Sequence, residues 1–170
     1  LETCLEAVVE LDPENAKSKM LLEMAERNEA AKEVKSEQQA NLRAQIQRRK
    51  ILFTKAQTAA TSARILLNAG DVDGACNRAY YAMFDAARAA LLASGVGEST
   101  VNTKTHSGLI SKFSLELVKS GQVSVELGKS LNKVEDLRLM ADYKGDSILE
   151  EDATWAVNQA DIFVEALCAK

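Results

Sequence analysis

The sequence predicts an all-α protein: an up-and-down helical bundle over residues 42–170, preceded by a long helical extension over residues 1–41. Three observations predict this. Alanine, leucine, glutamate and lysine dominate, glycine is sparse, and Pro13 is the only proline among 170 residues, the usage of an all-helical chain. From Glu14 to Ala69 there is neither glycine nor proline, so nothing in that stretch breaks a helix. Apolar residues elsewhere recur at helical spacing, and no segment alternates as a half-buried strand does.

Along the chain, Leu1, Leu5, Val8, Val9 and Leu11 share one apolar face and read as the end of a helix. Asp12 can cap the next helix, Pro13 suits its first position, and Glu14 favours its positive end. Residues 14–69 can be one very long helix or two with a soft join. The apolar signal is firm at Met20, Leu21, Met24 and Ala25, fades through Arg27–Ala40, and returns at Leu42, Ile46, Ile51, Leu52, Phe53, Ile65, Leu66 and Leu67. The faded middle buries little, so it is a solvated rod or a bend. Gly70 ends this helix as a left-handed cap. Asp71 or Asp73 starts the next, which runs to about Ser94 and is closed by Gly95 and Gly97. After a polar loop, Thr105 caps a helix over His106–Ser120, stopped by Gly121. Ser124 begins another through Leu127, Leu131, Val134, Leu137 and Met140. Residues 143–146 form a turn, and Ser147 with Glu150 has capping-box spacing for the last helix. Five helices with short connections from residue 42 onward make a bundle.

A chain of 170 residues supports one good core, or one domain plus an appendage. No apolar run approaches the roughly 18 residues of a membrane span. There is no basic-then-apolar leader, and a start at Leu1 rather than Met points to a chain cut from a longer protein or processed. Cys4, Cys76 and Cys168 are odd in number and lack metal-ligand spacing, and a single histidine cannot complete a zinc site. The chain reads as a cytoplasmic protein with reduced thiols, without metal or cofactor. Charge is uneven: from Arg27 to Arg64 nine cations oppose three anions, which leaves +6 there and −10 on the rest of a −4 chain. That stretch is a solvated helix surface, or a face for RNA or an acidic partner.

Three groups of residues can carry chemistry. In the run Asn77-Arg78-Ala79-Tyr80-Tyr81-Ala82-Met83-Phe84, Arg78 and Tyr81 begin a polar stripe continued by Asp85 and Arg88 at i, i+3, i+7 and i+10. Tyr80, Met83, Phe84, Ala87 and Leu91 supply the apolar side. The stripe is an internal hydrogen-bond network, half of a dimer interface, or the wall of a phosphate-binding cleft. In Arg138-Leu139-Met140-Ala141-Asp142-Tyr143, Arg138 and Asp142 stand at i and i+4, in the order that stabilises a helix less. This favours a tertiary role for Arg138, whose partner is a ligand or an acid such as Asp142 or Asp85. His106, in Lys104-Thr105-His106-Ser107-Gly108, sits at a helix start. It is structural unless some group orients it. No Gly-rich phosphate loop, paired-carboxylate signature or activated serine or cysteine motif is present.

Taken in order, Gly70-Asp71, the Asn77–Phe84 run, Thr105-His106-Ser107-Gly108-Leu109-Ile110 and the Arg138–Tyr143 segment resemble a HEPN domain over about residues 42–169. The resemblance implies a small helical bundle and a homodimer. It also implies a minimal nucleotidyltransferase as protein partner in a toxin–antitoxin or defence system, with nucleotide or RNA as ligand. Many members are metal-independent ribonucleases whose motif is an arginine followed four to six residues later by a histidine. The arginine neutralises phosphate and the histidine assists attack by the 2′-hydroxyl. Here Arg138 matches the arginine, but Asp142 and Tyr143 stand where the histidine is expected. Neither replaces imidazole at neutral pH, since aspartate is a poor acid and tyrosine titrates near about 10. His106, on another helix, is the imidazole that can substitute. The residues expected to carry any catalysis are Arg138, Asp142 and Tyr143; those expected to hold nucleotide or RNA are Arg78, Tyr81, Lys104 and His106. Three functions follow: a nucleotide- or RNA-binding partner of a nucleotidyltransferase, a ribonuclease using Arg138, or a non-catalytic assembly scaffold. Residues 7–16 also resemble the end of a tetratricopeptide repeat, and one partial repeat is not stable alone.

Overall fold

The computed structural model describes residues 13–96, 105–143 and 148–168; for helical residues 13–14, 22 and 141–143 only the backbone is described. It is all-helical, with no strand among the described residues: α1 (Pro13–Asn68), α2 (Val72–Ala93), α3 (His106–Phe113), α4 (Val125–Tyr143) and α5 (Glu150–Cys168). The first helix expected, over residues 1–11, the repeat-like segment up to Asp12, the closing Gly97 and the turn with Ser147 lie outside the described residues.

The glycine- and proline-free stretch forms one helix, α1, of 56 residues. Contacts group the chain into two units, Leu1–Ala44 and Gln45–Lys170. In the first, Met20, Leu21, Met24, Val34 and Leu42 are all exposed, so the firm apolar signal near Met20 marks no buried face among the described residues. The basic side chains of this stretch are solvated as well.

The second unit is the helical bundle. Its core draws on every helix: Leu52, Ala56, Ala60 and Ala63 from α1, Ala75 to Leu92 from α2, Leu109 and Phe113 from α3, Leu131 and Val134 from α4, and Ala153 to Leu167 from α5. α2 packs most extensively on α5 and next on α4. Alanine favours close packing: Ala75, Ala79, Ala82, Ala86 and Ala89 share one face of α2 and Ala153, Ala156 and Ala160 one face of α5, all fully buried. Small side chains bring the backbones close, and large ones, such as Phe113 and Phe163 with ring centroids 5.5 Å apart, fill the wider space at interior density.

The helix ends follow the local chemistry. Gly70, Gly95 and Gly121 have φ of 83°, 80° and 77°, the left-handed region that glycine enters without a Cβ penalty. The Asp71 carboxylate accepts the Gly74 amide at 2.9 Å, so Asp71 is the cap of α2 and Asp73 lies in its first turn. Thr105 Oγ1 accepts the Gly108 amide at 3.2 Å, and Ser124 Oγ accepts the Leu127 amide at 3.3 Å. One expectation is corrected. The helix predicted over His106–Ser120 is α-helical only to Phe113, and Ser114–Val118 is a π-turn. The Lys119 amide reaches back to the Ser114 carbonyl at 2.9 Å, and the Val123 amide then bonds the Leu117 carbonyl at 3.0 Å. The wider turn lets the chain leave α3 toward α4, where Gly128 lies against Val118: a Cβ there would stand 3.0 Å from Val118 Cγ2.

Candidate functional site

The start of α3 and the middle of α4 meet on one aromatic patch of α2. Tyr80, Tyr81 and Phe84 form that patch, because Phe84 stands four residues after Tyr80 and three after Tyr81, the spacings at which helix side chains adjoin. Tyr80 is fully buried, whereas Tyr81 and Phe84 are half-buried. The Tyr80 and Tyr81 rings meet edge-on with centroids 5.6 Å apart, and Tyr80 and Phe84 lie 5.7 Å apart.

The His106 ring sits on all three aromatics, with centroids 4.7 Å from Phe84, 5.6 Å from Tyr80 and 6.1 Å from Tyr81. Its Nδ1 lies 2.8 Å from the Tyr80 hydroxyl. Thr105 caps α3, which makes His106 its first residue. From α4, the Arg138 guanidinium carbon lies 5.2 Å from the Tyr80 centroid and 5.8 Å from that of Tyr81. The Arg78 guanidinium stands over Tyr81 at 4.9 Å. Two cations and an imidazole therefore share one tyrosine pair, at distances where the ring quadrupole attracts a cation.

The electrostatics follow from burial and from Arg138. Burial pushes His106 below the ordinary histidine value, and the Arg138 charge pushes the same way, so the ring is neutral at pH 7. The Tyr80 phenol is pushed far up, by burial first and the Glu135 carboxylate second, against the pull of Arg138, so it is protonated at neutral pH. Glu135 is itself raised by burial and then by Asp136, against Arg138. The patch thus combines fixed positive charge, a neutral imidazole and protonated phenol, an arrangement for holding an anion rather than a metal cation.

The residues expected to act meet this geometry unevenly. Arg138, His106, Tyr81 and Arg78 come together. Lys104 and the side chains of Asp142 and Tyr143 lie outside what is described; the backbone of the last two completes the final turn of α4. The polar stripe of α2 divides. Its first half, Arg78 and Tyr81, joins the cluster. In its second half, Arg88 reaches Asp85 at 4.0 Å and stands 6.0 Å from the Phe84 centroid. Asp85 is raised by burial, against Arg88 and Lys55. By its spacing Tyr80 falls on the apolar side of α2. Its ring is there, but its hydroxyl is the orienting partner that His106 needs. The available signal is its register with Cys76, Met83 and Ala87, four residues before and three and seven after it, all fully buried, since a phenol on a buried face requires an internal partner.

The remaining polar features lie apart. Arg64 pairs with Asp161 and bonds Asn158 Oδ1 at 2.9 Å. Lys133 lies 4.1 Å from the Trp155 centroid and 3.9 Å from Asp152. Cys76 and Cys168 are free thiols. No described helix is long and apolar enough to cross a membrane, and no metal-binding group of acids, cysteines and histidine occurs among the described residues.

Comparison with known proteins gives this arrangement its family. Residues 50–170 match the profile of the HEPN domain. A “UPF0332 protein” of Gloeobacter violaceus is 34% identical over 116 residues, covering 67% of this chain and 88% of that protein. A “putative toxin” of Methanocaldococcus jannaschii is 35% identical over 107 residues, 63% of this chain and 76% of that one. A “UPF0332 protein” of Thermotoga maritima is 35% identical over 115 residues, 66% and 83% of the two chains. Both the match and the residues that carry it place the chain, over its helical bundle, in the HEPN domain family.

Proposed function

We propose that this chain is a toxin-like HEPN module whose aromatic–cationic cluster binds a phosphate of nucleotide or RNA, and that it acts as a homodimer with a minimal nucleotidyltransferase as its protein partner. The toxin-like character follows the name of the Methanocaldococcus relative. The observation that carries the ligand class is the convergence of Arg138 and His106 on the Tyr80–Tyr81 pair. A guanidinium, a neutral imidazole and exposed Arg78 supply donors and charge to an anionic oxygen. Fluorescence anisotropy with labelled ATP and a labelled single-stranded RNA tests this. Binding should weaken about 10-fold in Arg138→Ala and in His106→Ala, the scale of one charge-assisted hydrogen bond. Equal affinity of the wild type and Arg138→Ala for both probes refutes the site. Mass in solution tests the dimer, and co-purification with a co-expressed minimal nucleotidyltransferase tests the partner.

One observation favours a second reading, a metal-independent ribonuclease: His106 shares the Tyr80 ring with the arginine that matches the nuclease motif. Incubation with total RNA in a chelator decides it. Cleavage by the wild type and not by Arg138→Ala supports this reading; absent or equal cleavage removes it.

A further inference from the structure

We propose that Tyr80 is a positioning residue that fixes His106 as the tautomer protonated at Nε2, so that the site offers a neutral imidazole N–H beside Arg138 instead of a base. The functional consequence rests on the reading of this cluster as an anion site; the tautomer itself does not.

The argument starts from the hydroxyl. Tyr80 has no solvent-exposed surface, so its O–H cannot be satisfied by bulk water and must find an acceptor inside the protein. Among the described residues the one hydrogen-bond partner of that oxygen is His106 Nδ1, at 2.8 Å. Two arrangements fit the distance. If Nδ1 carried the proton and donated to the phenol oxygen, the phenol proton would be a buried donor with no described acceptor. If the phenol donates, both groups are satisfied and Nδ1 keeps a lone pair. The second arrangement costs no unmade bond, and the bond at one ring nitrogen dictates the state of the other. Nδ1 is bare and Nε2 carries the hydrogen. The ring is half-buried, with Nδ1 the nitrogen engaged by the buried phenol. Nε2 has no described hydrogen-bond partner and is the one left for a ligand.

The surroundings hold the same state. Protonating Nδ1 would reverse the bond and leave the buried phenol proton without a described acceptor, and Arg138 sets a positive charge against the protonated ring. A neutral Nε2–H is a very weak acid and has no lone pair to act as a base, so its use is to donate a hydrogen bond to an anionic oxygen. This is specific to Tyr80: phenylalanine would keep the ring, the arginine stack and the core, and remove only the instruction to the imidazole.

His106 is the only histidine in the chain, which makes the test direct. The full chain, labelled with 15N histidine, gives one pair of ring-nitrogen signals in a long-range proton–nitrogen spectrum, recorded near pH 8 where the ring is neutral. The wild type should show one protonated nitrogen, Nε2, and one unprotonated nitrogen, Nδ1, shifted as a hydrogen-bond acceptor. Tyr80→Phe should lose the acceptor shift at Nδ1, and Tyr81→Phe should leave it in place. A proton on Nδ1 in the wild type, an even mixture of tautomers, or an Nδ1 signal unchanged in Tyr80→Phe overturns the proposal. In the same samples Tyr80→Phe should weaken binding of inorganic pyrophosphate about 2- to 10-fold, the worth of one hydrogen bond. If pyrophosphate does not bind the wild type while the spectrum shows the Nε2–H form, the anion-site reading fails and the tautomer assignment stands.

Discussion

Replacing Tyr80 with phenylalanine and His106 with alanine, singly and together, measures the bond at the centre of the site. Tyr80→Phe removes a hydroxyl and leaves the ring that packs against Phe84 and beneath Arg138. An unpaired buried acceptor costs about 1–3 kcal/mol, and a made bond is worth about 0.5–1.5 kcal/mol net. The Tyr80 side is closed to solvent, but His106 is only half-buried, so water can partly recover the orphaned Nδ1. The expected coupling energy between the two substitutions is therefore about 1 kcal/mol at pH 8. Its pH dependence has a definite sign. The folded pKa of His106 is lowered from the ordinary 6.5, so as pH falls through that value the unfolded chain takes up the proton first. The stability tied to the neutral ring is complete above about 6.5 and is lost as pH falls through the lower folded value. Once Nδ1 is protonated it no longer accepts the phenol proton, and the coupling falls with it. Urea unfolding of the four proteins gives the numbers from midpoints at a common m-value. Additivity within about 0.3 kcal/mol at pH 8, or a coupling that stays flat from about pH 8 to about pH 4, refutes the argument.

Three further outcomes test the fold around the site. Phe163→Ala removes a fully buried ring that lies 5.5 Å from Phe113 and should cost about 3–5 kcal/mol in urea unfolding; a loss below about 1 kcal/mol means that the α3–α5 core is not packed as described. Asp71→Ala deletes the carboxylate that accepts the Gly74 amide and should cost about 0.5–2 kcal/mol, with Asp71→Asn recovering most of it, both read as shifts in thermal midpoint. Cys76 is fully buried and its thiol is pushed up to about 11, by burial first and then by Asp73 and Asp152. It should resist iodoacetamide at neutral pH and react only in denaturant, and peptide mass spectrometry showing its rapid native alkylation would contradict that burial.

The sequence made the helices legible because their stop and start signals are local. Gly70, Asp71, Gly95, Thr105, Gly121 and Ser124 each act within four residues of themselves, so their roles follow from residue type. The continuity of α1 was not decidable that way: the absence of glycine and proline permits a single helix without requiring one. The π-turn at Ser114–Val118 had no local signal, since a six-residue hydrogen-bonded step between ordinary helix formers is set by how the chain must reach α4. The site divides along the same line. Arg138 and His106 were recognisable separately, one from its motif and one as the only imidazole. Their meeting on Tyr80 depends on how α2, α3 and α4 pack, a property of three helices and not of any one segment.

The family motif and this chain solve the placement of an imidazole differently, and the difference bears on activity. A histidine four to six residues after Arg138 would fall at or just past the end of α4. Here that stretch carries Asp142 and Tyr143, and the one imidazole comes from the start of α3, seated on the aromatic patch that also carries Arg138. A histidine that serves as general acid or base must pass between protonation states during turnover, with a pKa near the working pH. Both neighbours of His106 oppose that cycle, because the Tyr80 hydroxyl satisfies the neutral ring and the Arg138 charge repels the protonated one. The same two contacts suit a fixed hydrogen-bond donor next to a fixed cation, which is what a phosphate oxygen requires. On these grounds the binding reading is the stronger of the two for His106. A ribonuclease built on this chain would have to draw its proton transfers from groups other than the imidazole beside Arg138.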